Sequence, residues 1–225
     1  MDEKLEDQLS EKPEEKTVLC YGDSNTWGYM PITASRLPRL QRWPSILGSL
    51  LGDSCHVIAE GLNGRSTAWD EPFRDGRNAR SSLTAALESH APLSLVVLML
   101  GTNDMKHHLN VSAVESSRGI SALVQIIQKS EMGHAGTAPL ILVVAPPRLA
   151  KFSDRMTQHF DGSIERSSEL PRWYRQVCED LKCHFFDSNA VVEVGADGVH
   201  LDVDGHRTLA QALAPVVRSL VAPAD

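Results

Sequence analysis

Five short runs of Val, Leu and Ile punctuate this chain, and none of them alternates with polar residues. They are Thr17–Tyr21, Cys55–Ala59, Leu93–Leu100, Leu140–Ala145 and His184–Phe186. Successive strand residues point to opposite faces, so a strand with one wet face alternates, and a run that is apolar throughout is covered on both. Helical patterns separate the runs. "RWPSILGSLLG" carries Pro44 near its start and Gly52 at its end, the usual helix punctuation. "SSLTAALESH" and "VSAVESSRGISALVQIIQKSEMG" place apolar residues three and four apart, the second stopping at Gly133. "SIERSSELPRWYRQVCEDL" contains Pro171, which predicts a kink or a fresh start there. A last helix is expected over about Val203 to Val221, with the stripe Leu209, Leu213, Val216, Val217 and Leu220. Strand and helix in alternation predict a three-layer α/β/α, flavodoxin-like domain around a five-stranded, mostly parallel sheet.

The 225 residues suit one domain over 17–225, preceded by a charged tail over 1–16, "MDEKLEDQLSEKPEEK", which has no apolar segment and is expected to be disordered. A net charge of −7, with no basic block, argues against a nucleic-acid partner. No apolar run reaches the length of a membrane span and no signal peptide is evident, so a cytoplasmic location is expected. Cys20, Cys55, Cys178 and Cys183 lie in or beside apolar runs without C-x-x-C spacing, as buried reduced thiols do.

In open parallel sheets ligands bind at the carboxyl ends of the strands, so the residues just past each run are informative. After the first run comes Gly22-Asp23-Ser24-Asn25, and after the second "EGLNGRST" with Gly61 and Gly64. Gly101-Thr102-Asn103-Asp104 comes after the third, and "FFDSNAVVEVGADGVHLDVDGH" with Asp197 and His200 continues from the fifth. Each piece alone reads as a turn or a helix cap. Together they gather a hydroxyl, an imidazole, a carboxylate and an amide at one sheet edge. A serine hydroxyl needs a base to become a nucleophile, imidazole suits that task near neutral pH, and a carboxylate fixes its tautomer. The three-residue spacing of Asp197 and His200 lets one segment preset both.

These four stretches resemble, in order and spacing, the four blocks of the GDSL or SGNH serine hydrolases. "CYGDSNTWGYMP", "EGLNGRST", "LMLGTNDMK", "VVAPP" and "DGVHL" are most similar to the small arylesterase and acyltransferase subgroup. The resemblance implies Ser24 as nucleophile, with Asp197 and His200 completing a triad. It implies the backbone N–H groups of Ser24 and Gly64, with the Asn103 side chain, as the oxyanion hole. It further implies a carboxylic-ester hydrolase for short acyl chains, an acyl-serine intermediate, acyl transfer to alcohols as a side activity, and a homo-oligomer built partly through the long loop Arg65 to Arg80. The chain departs from the family's namesake motif at Asn25, where Leu is usual, and the sequence assigns Asn25 no role. A carbohydrate O-deacetylase, a thioesterase or lysophospholipase, and a non-catalytic α/β binding module are the alternatives.

Trp27, Met30 and Trp69 are candidate walls of the substrate pocket, with core packing as the rival reading. His206, in "DVDGHRTL", is a second candidate base, and Asp204-Gly205 before it reads as a helix cap. Asp23 and Asp104 are expected to brace their loops. The adjacent pair His107-His108 lacks an acidic partner at ligand spacing and reads as solvated surface. There is no G-x-S-x-G, P-loop or dinucleotide fingerprint. No cofactor and no metal is implied, and the expected partner is a small-molecule ester.

Overall fold

The computed structural model describes residues 15–31 and 33–222. Seven strands occur among them: β1 (Lys16–Gly22), β2 (Tyr29–Met30), β3 (Ser35–Arg36), β4 (Cys55–Gly61), β5 (Leu95–Met99), β6 (Leu140–Ala145) and β7 (His184–Asp187). Five form a parallel sheet in the order β4-β1-β5-β6-β7, while β2 and β3 make a small antiparallel ribbon beside it. The helices are α1 (Ser24–Trp27), α2 (Trp43–Leu51), α3 (Ala79–His90), α4 (Ala113–Gln128), α5 (Asp154–Phe160), α6 (Ile164–Ser168), α7 (Leu170–Leu181) and α8 (Val203–Val221). None of them is long and apolar enough to cross a membrane.

The sheet explains why the strand runs do not alternate. In β1, Leu19 and Tyr21 join one core with Leu83, Leu87, Ile120, Leu123 and Tyr174 from α3, α4 and α7. Val18 and Cys20 join the other with Trp43, Leu47, Leu209 and Leu213 from α2 and α8. Both pleat faces therefore need apolar side chains, each worth about 1.5–3 kcal/mol when fully buried. The edge strand β4 is only partly buried along its length. All four cysteines are free, and Cys20 and Cys178 are buried.

Several boundaries differ from the sequence expectation. Helix α4 starts in a capping box, Ser112 accepting from the Glu115 N–H while the Glu115 carboxylate accepts from the Ser112 N–H. It ends at Gln128 and not at Gly133, because the Leu93 N–H donates to Met132 O and the Gly133 N–H to Thr137 O, which draws that segment into a turn. Pro171 marks a fresh start, in the first turn of α7. The sequence reading did not anticipate α5 or the β2–β3 ribbon. Residues 1–14 of the expected tail lie outside the described residues, and Lys16, placed in that tail, opens β1.

Candidate active site

Strand β1 stops at Gly22 for a steric reason. A Cβ there would sit 2.1 Å from Thr26 Oγ1 and 2.8 Å from Met99 O, so only glycine lets the chain turn this sharply into α1. Asp23 caps that single turn, its carboxylate accepting from the Asn25 N–H at 2.9 Å. Ser24 is the first helical residue, a position whose N–H has no intrahelical acceptor.

The segment after β4 is tied to the neighbouring strand ends. Gly64 takes a left-handed conformation with φ +84°. Arg65, buried, donates from Nη1 to Gly22 O and Glu60 O, and its guanidinium lies 4.1 Å from the Tyr21 ring centroid. Thr67 donates through N–H and Oγ1 to the Asp104 carboxylate at 2.8 and 2.5 Å. Asp104 also accepts from Ser116 Oγ at 2.7 Å, and Ser116 Oγ lies 2.8 Å from the Tyr174 hydroxyl. One buried carboxylate thus joins the second block, the third block and α4. Burial pushes its pKa up to about 6 against those three donors. Asp23 is likewise raised to about 6 by burial, opposed by the Asn25 N–H and by the charge of His200. Asn103 donates from Nδ2 to Arg65 O at 3.1 Å and, at the longer distance of 3.5 Å, to Asp23 Oδ2, which together orient the amide.

Asp197 and His200 come from the loop before α8. Asp197 Oδ1 accepts from the N–H groups of Val199 and His200 at 2.9 and 2.8 Å, and Oδ2 lies 2.7 Å from His200 Nδ1. Burial would raise this carboxyl, but the His200 ring and the two backbone donors outweigh it and hold its pKa below the usual carboxylate value. An ionised carboxylate only accepts, so Nδ1 carries the proton and Nε2 faces Ser24 Oγ at 2.9 Å as acceptor. The loop is pinned from behind by Ala150 N–H to Gly198 O and Ser153 N–H to Asp197 O. In front, Asn25 accepts from the Leu201 N–H at 2.9 Å and donates to Val199 O at 3.4 Å, bracketing His200.

Ser24, Gly64, Asn103 and His200 line one cavity of about 300 Å³. Its other walls differ from those expected. Trp27, Met30 and Trp69 do not line it. Trp27 faces Arg36, whose guanidinium stacks on its ring at 4.7 Å, Met30 is paired in the ribbon with Ser35, and Trp69 is folded back so that its carbonyl accepts from Ser66 Oγ. Tyr29, between the first two, takes the wall position with its ring 4.4 Å from that of His200. His206 is fully buried away from the cavity, its Nδ1 accepting from the Trp43 N–H. The cap of α8 is Asp202 and not Asp204, since it is Asp202 that accepts from the Gly205 N–H. His108, read as solvated, is half-buried against Glu71.

Comparison with known proteins gives the family of the chain. The model of the GDSL-like lipase/acylhydrolase family matches residues 20–208. The chain belongs to that family. Among solved structures, this GDSL-like chain is similar to a carbohydrate acetylesterase family member from Sinorhizobium meliloti, at 43% identity and TM-score 0.87 over 92% of this chain and 99% of that one. It is also similar to the aryl esterase of M. smegmatis (38%, TM-score 0.88, 91% and 99%) and to Est24, a carbohydrate acetylesterase from Sinorhizobium meliloti (39%, TM-score 0.87, 92% and 100%). No curated protein matches it. Within this GDSL-like frame, the sequence reading missed Glu71, Lys106, Arg155 and His159 on the cavity wall. The one local signal for α5 was Met156 and Phe160, four apart, which are its two buried residues.

Proposed function

We propose that Ser24 is the nucleophile of an ester hydrolase, with His200 as general base and acid and Asp197 as the group that fixes and stabilises the imidazole. The observation that carries this is the unbroken relay Asp197 Oδ2–His200–Ser24 Oγ, at 2.7 and 2.9 Å, opening on the cavity. Ser24 attacks the ester carbonyl as His200 takes its proton, and the oxyanion meets the N–H groups of Ser24 and Gly64 and the amide of Asn103. Such donors contribute about 2.7–4 kcal/mol each to the transition state. His200 then protonates the leaving alcohol, and water activated by the same ring releases the acid. Acetyl and other short acyl groups fit both the cavity and the activities named for the similar acetylesterases and aryl esterase. The apolar walls Tyr29, Met156 and Phe160 support capture of the acyl group by an alcohol in place of water. Phe73, 77% exposed on the long loop, supports self-association through that loop.

The test is labelling with a serine-directed phosphonate, with the adduct located by mass spectrometry, alongside turnover of p-nitrophenyl acetate. The adduct is expected on Ser24, and Ser24→Ala and His200→Ala are each expected to lose about 10⁶-fold in kcat. His206→Ala should lose far less. An adduct on another residue, or an active Ser24→Ala enzyme, overturns the assignment.

A further inference from the structure

The cleft over Ser24 is more positive than the chain around it. The protein carries a net charge of −7, yet three permanent cations, Arg74, Lys106 and Arg155, line this cavity with a single carboxylate, Glu71. That carboxylate is already engaged. Its oxygens lie 2.6 Å from Lys106 Nζ and 2.9 Å from His108 Nε2, and the Glu71 side chain is almost wholly buried. Among the described residues, neither the Arg74 nor the Arg155 side chain makes a hydrogen bond or an ion pair. Two guanidinium groups therefore line the cleft without a direct ion-pair partner among the described residues. His159, one turn beyond Arg155 on α5, lies among these charges on the cavity wall. Partial desolvation at the cleft mouth lowers its pKa, and the charges of Lys106, His108 and Arg155 lower it further, with Glu71 opposing.

The charges are also placed by depth. Ser24, Asn103, Met156 and Phe160 are buried and form the floor, whereas Arg74, Arg155 and His159 are exposed and form the rim. A short acyl group bonded to Ser24 occupies the floor, so the alcohol half of the ester points toward the rim. A guanidinium fork matches a carboxylate in shape and charge. Resting on the esterase reading above, we propose that this enzyme prefers esters whose alcohol half carries a carboxylate, held at the mouth of the cleft by Arg74 and Arg155. The reaction stays an acyl transfer. Ser24 Oγ bonds to the carbonyl carbon, the oxyanion then collapses and breaks the bond to the alcohol oxygen, the alcohol leaves with the proton from His200 and its carboxylate intact, and water completes the cycle.

The comparison that tests this uses (4-acetoxyphenyl)acetate and its methyl ester, in which a methylene insulates the phenol leaving group from the charge. At low salt kcat/KM is expected to be about tenfold higher for the carboxylate, as a close unscreened ion pair would give. That ratio should fall toward one at about 0.5 M salt. It should also fall toward one in the double variant Arg74→Gln/Arg155→Gln. Turnover of both esters with a ratio at or below one, or with a ratio the double variant leaves unchanged, overturns the proposal. If neither ester is hydrolysed, the esterase reading has failed and the proposal falls with it.

Discussion

Asn25 is the residue whose role only the folded chain shows. Its side-chain oxygen accepts from the Leu201 N–H and its amide reaches Val199 O, so it holds the backbone on either side of His200 from across 176 and 174 residues of sequence. A pair that distant leaves no local pattern, which is why the four-residue motif could be read for Gly22, Asp23 and Ser24 but not for Asn25. The same geometry sets the expected outcome of Asn25→Leu, the residue usual in the family's namesake motif. The substitution leaves the buried Leu201 N–H unpaired and frees the His200 segment to shift, and a misplacement on the order of 1 Å costs about a hundredfold in rate. kcat for p-nitrophenyl acetate should therefore fall by about tenfold to a hundredfold with little change in KM. Weaker binding alone, seen as a raised KM at unchanged kcat, would separate Asn25 from the proposed role of His200.

At the scale of elements, the site is assembled by contacts between strand ends, and Asp104 is the principal joint. Its carboxylate accepts from Thr67 twice and from Ser116 once, tying the long loop and α4 to the end of β5. Gly119 in α4 fits the same joint, because a Cβ there would fall 2.1 Å from Thr67 Oγ1. Asp104→Ala removes three charge-assisted bonds and strands the Thr67 N–H, so a loss of about 3 kcal/mol or more is expected in urea unfolding. Ser116→Ala, which removes one of the three donors, should cost about 1 kcal/mol. The bracing role of Asp104 could be anticipated from its place after a strand, but its partners could not. Elements with a strong apolar signal, the continuous run of β6 and the periodic stripe of α8, were legible to the residue. The seven residues of α5 were not, since two apolar side chains are too few to announce a helix, and that short element brings Arg155, Met156, His159 and Phe160 to the cavity.

Across the whole molecule, pH couples to stability through groups far from the reaction. His206 accepts the Trp43 N–H at 3.2 Å and so occupies the N-terminus of α2, where no side chain of the preceding Arg42 caps the helix. Because Nδ1 accepts, the proton sits on Nε2, which is buried without a partner among the described residues. Protonation would turn the acceptor into a donor facing the positive end of a helix. Burial, with the charges of His200 and Arg42, accordingly lowers the pKa from 6.5 to about 4 against the pull of Asp202. The unfolded chain therefore binds this proton more readily than the folded one. The stabilisation is complete above pH 6.5, declines as pH falls toward 4, and changes little below that, a total of about 3 kcal/mol. Asp23 and Asp104 act with the opposite sign, because burial raises both to about 6. Their contribution is present below about pH 3.8 and is lost as pH rises through 6. The total stability curve mixes these terms, so His206 must be read by difference. Urea unfolding of the native chain and of His206→Gln should show a stability gap at pH 7.5 that narrows by about 3 kcal/mol at pH 4. A gap that stays constant over that range would mean that His206 fills space and caps α2 without carrying the acid sensitivity of the fold.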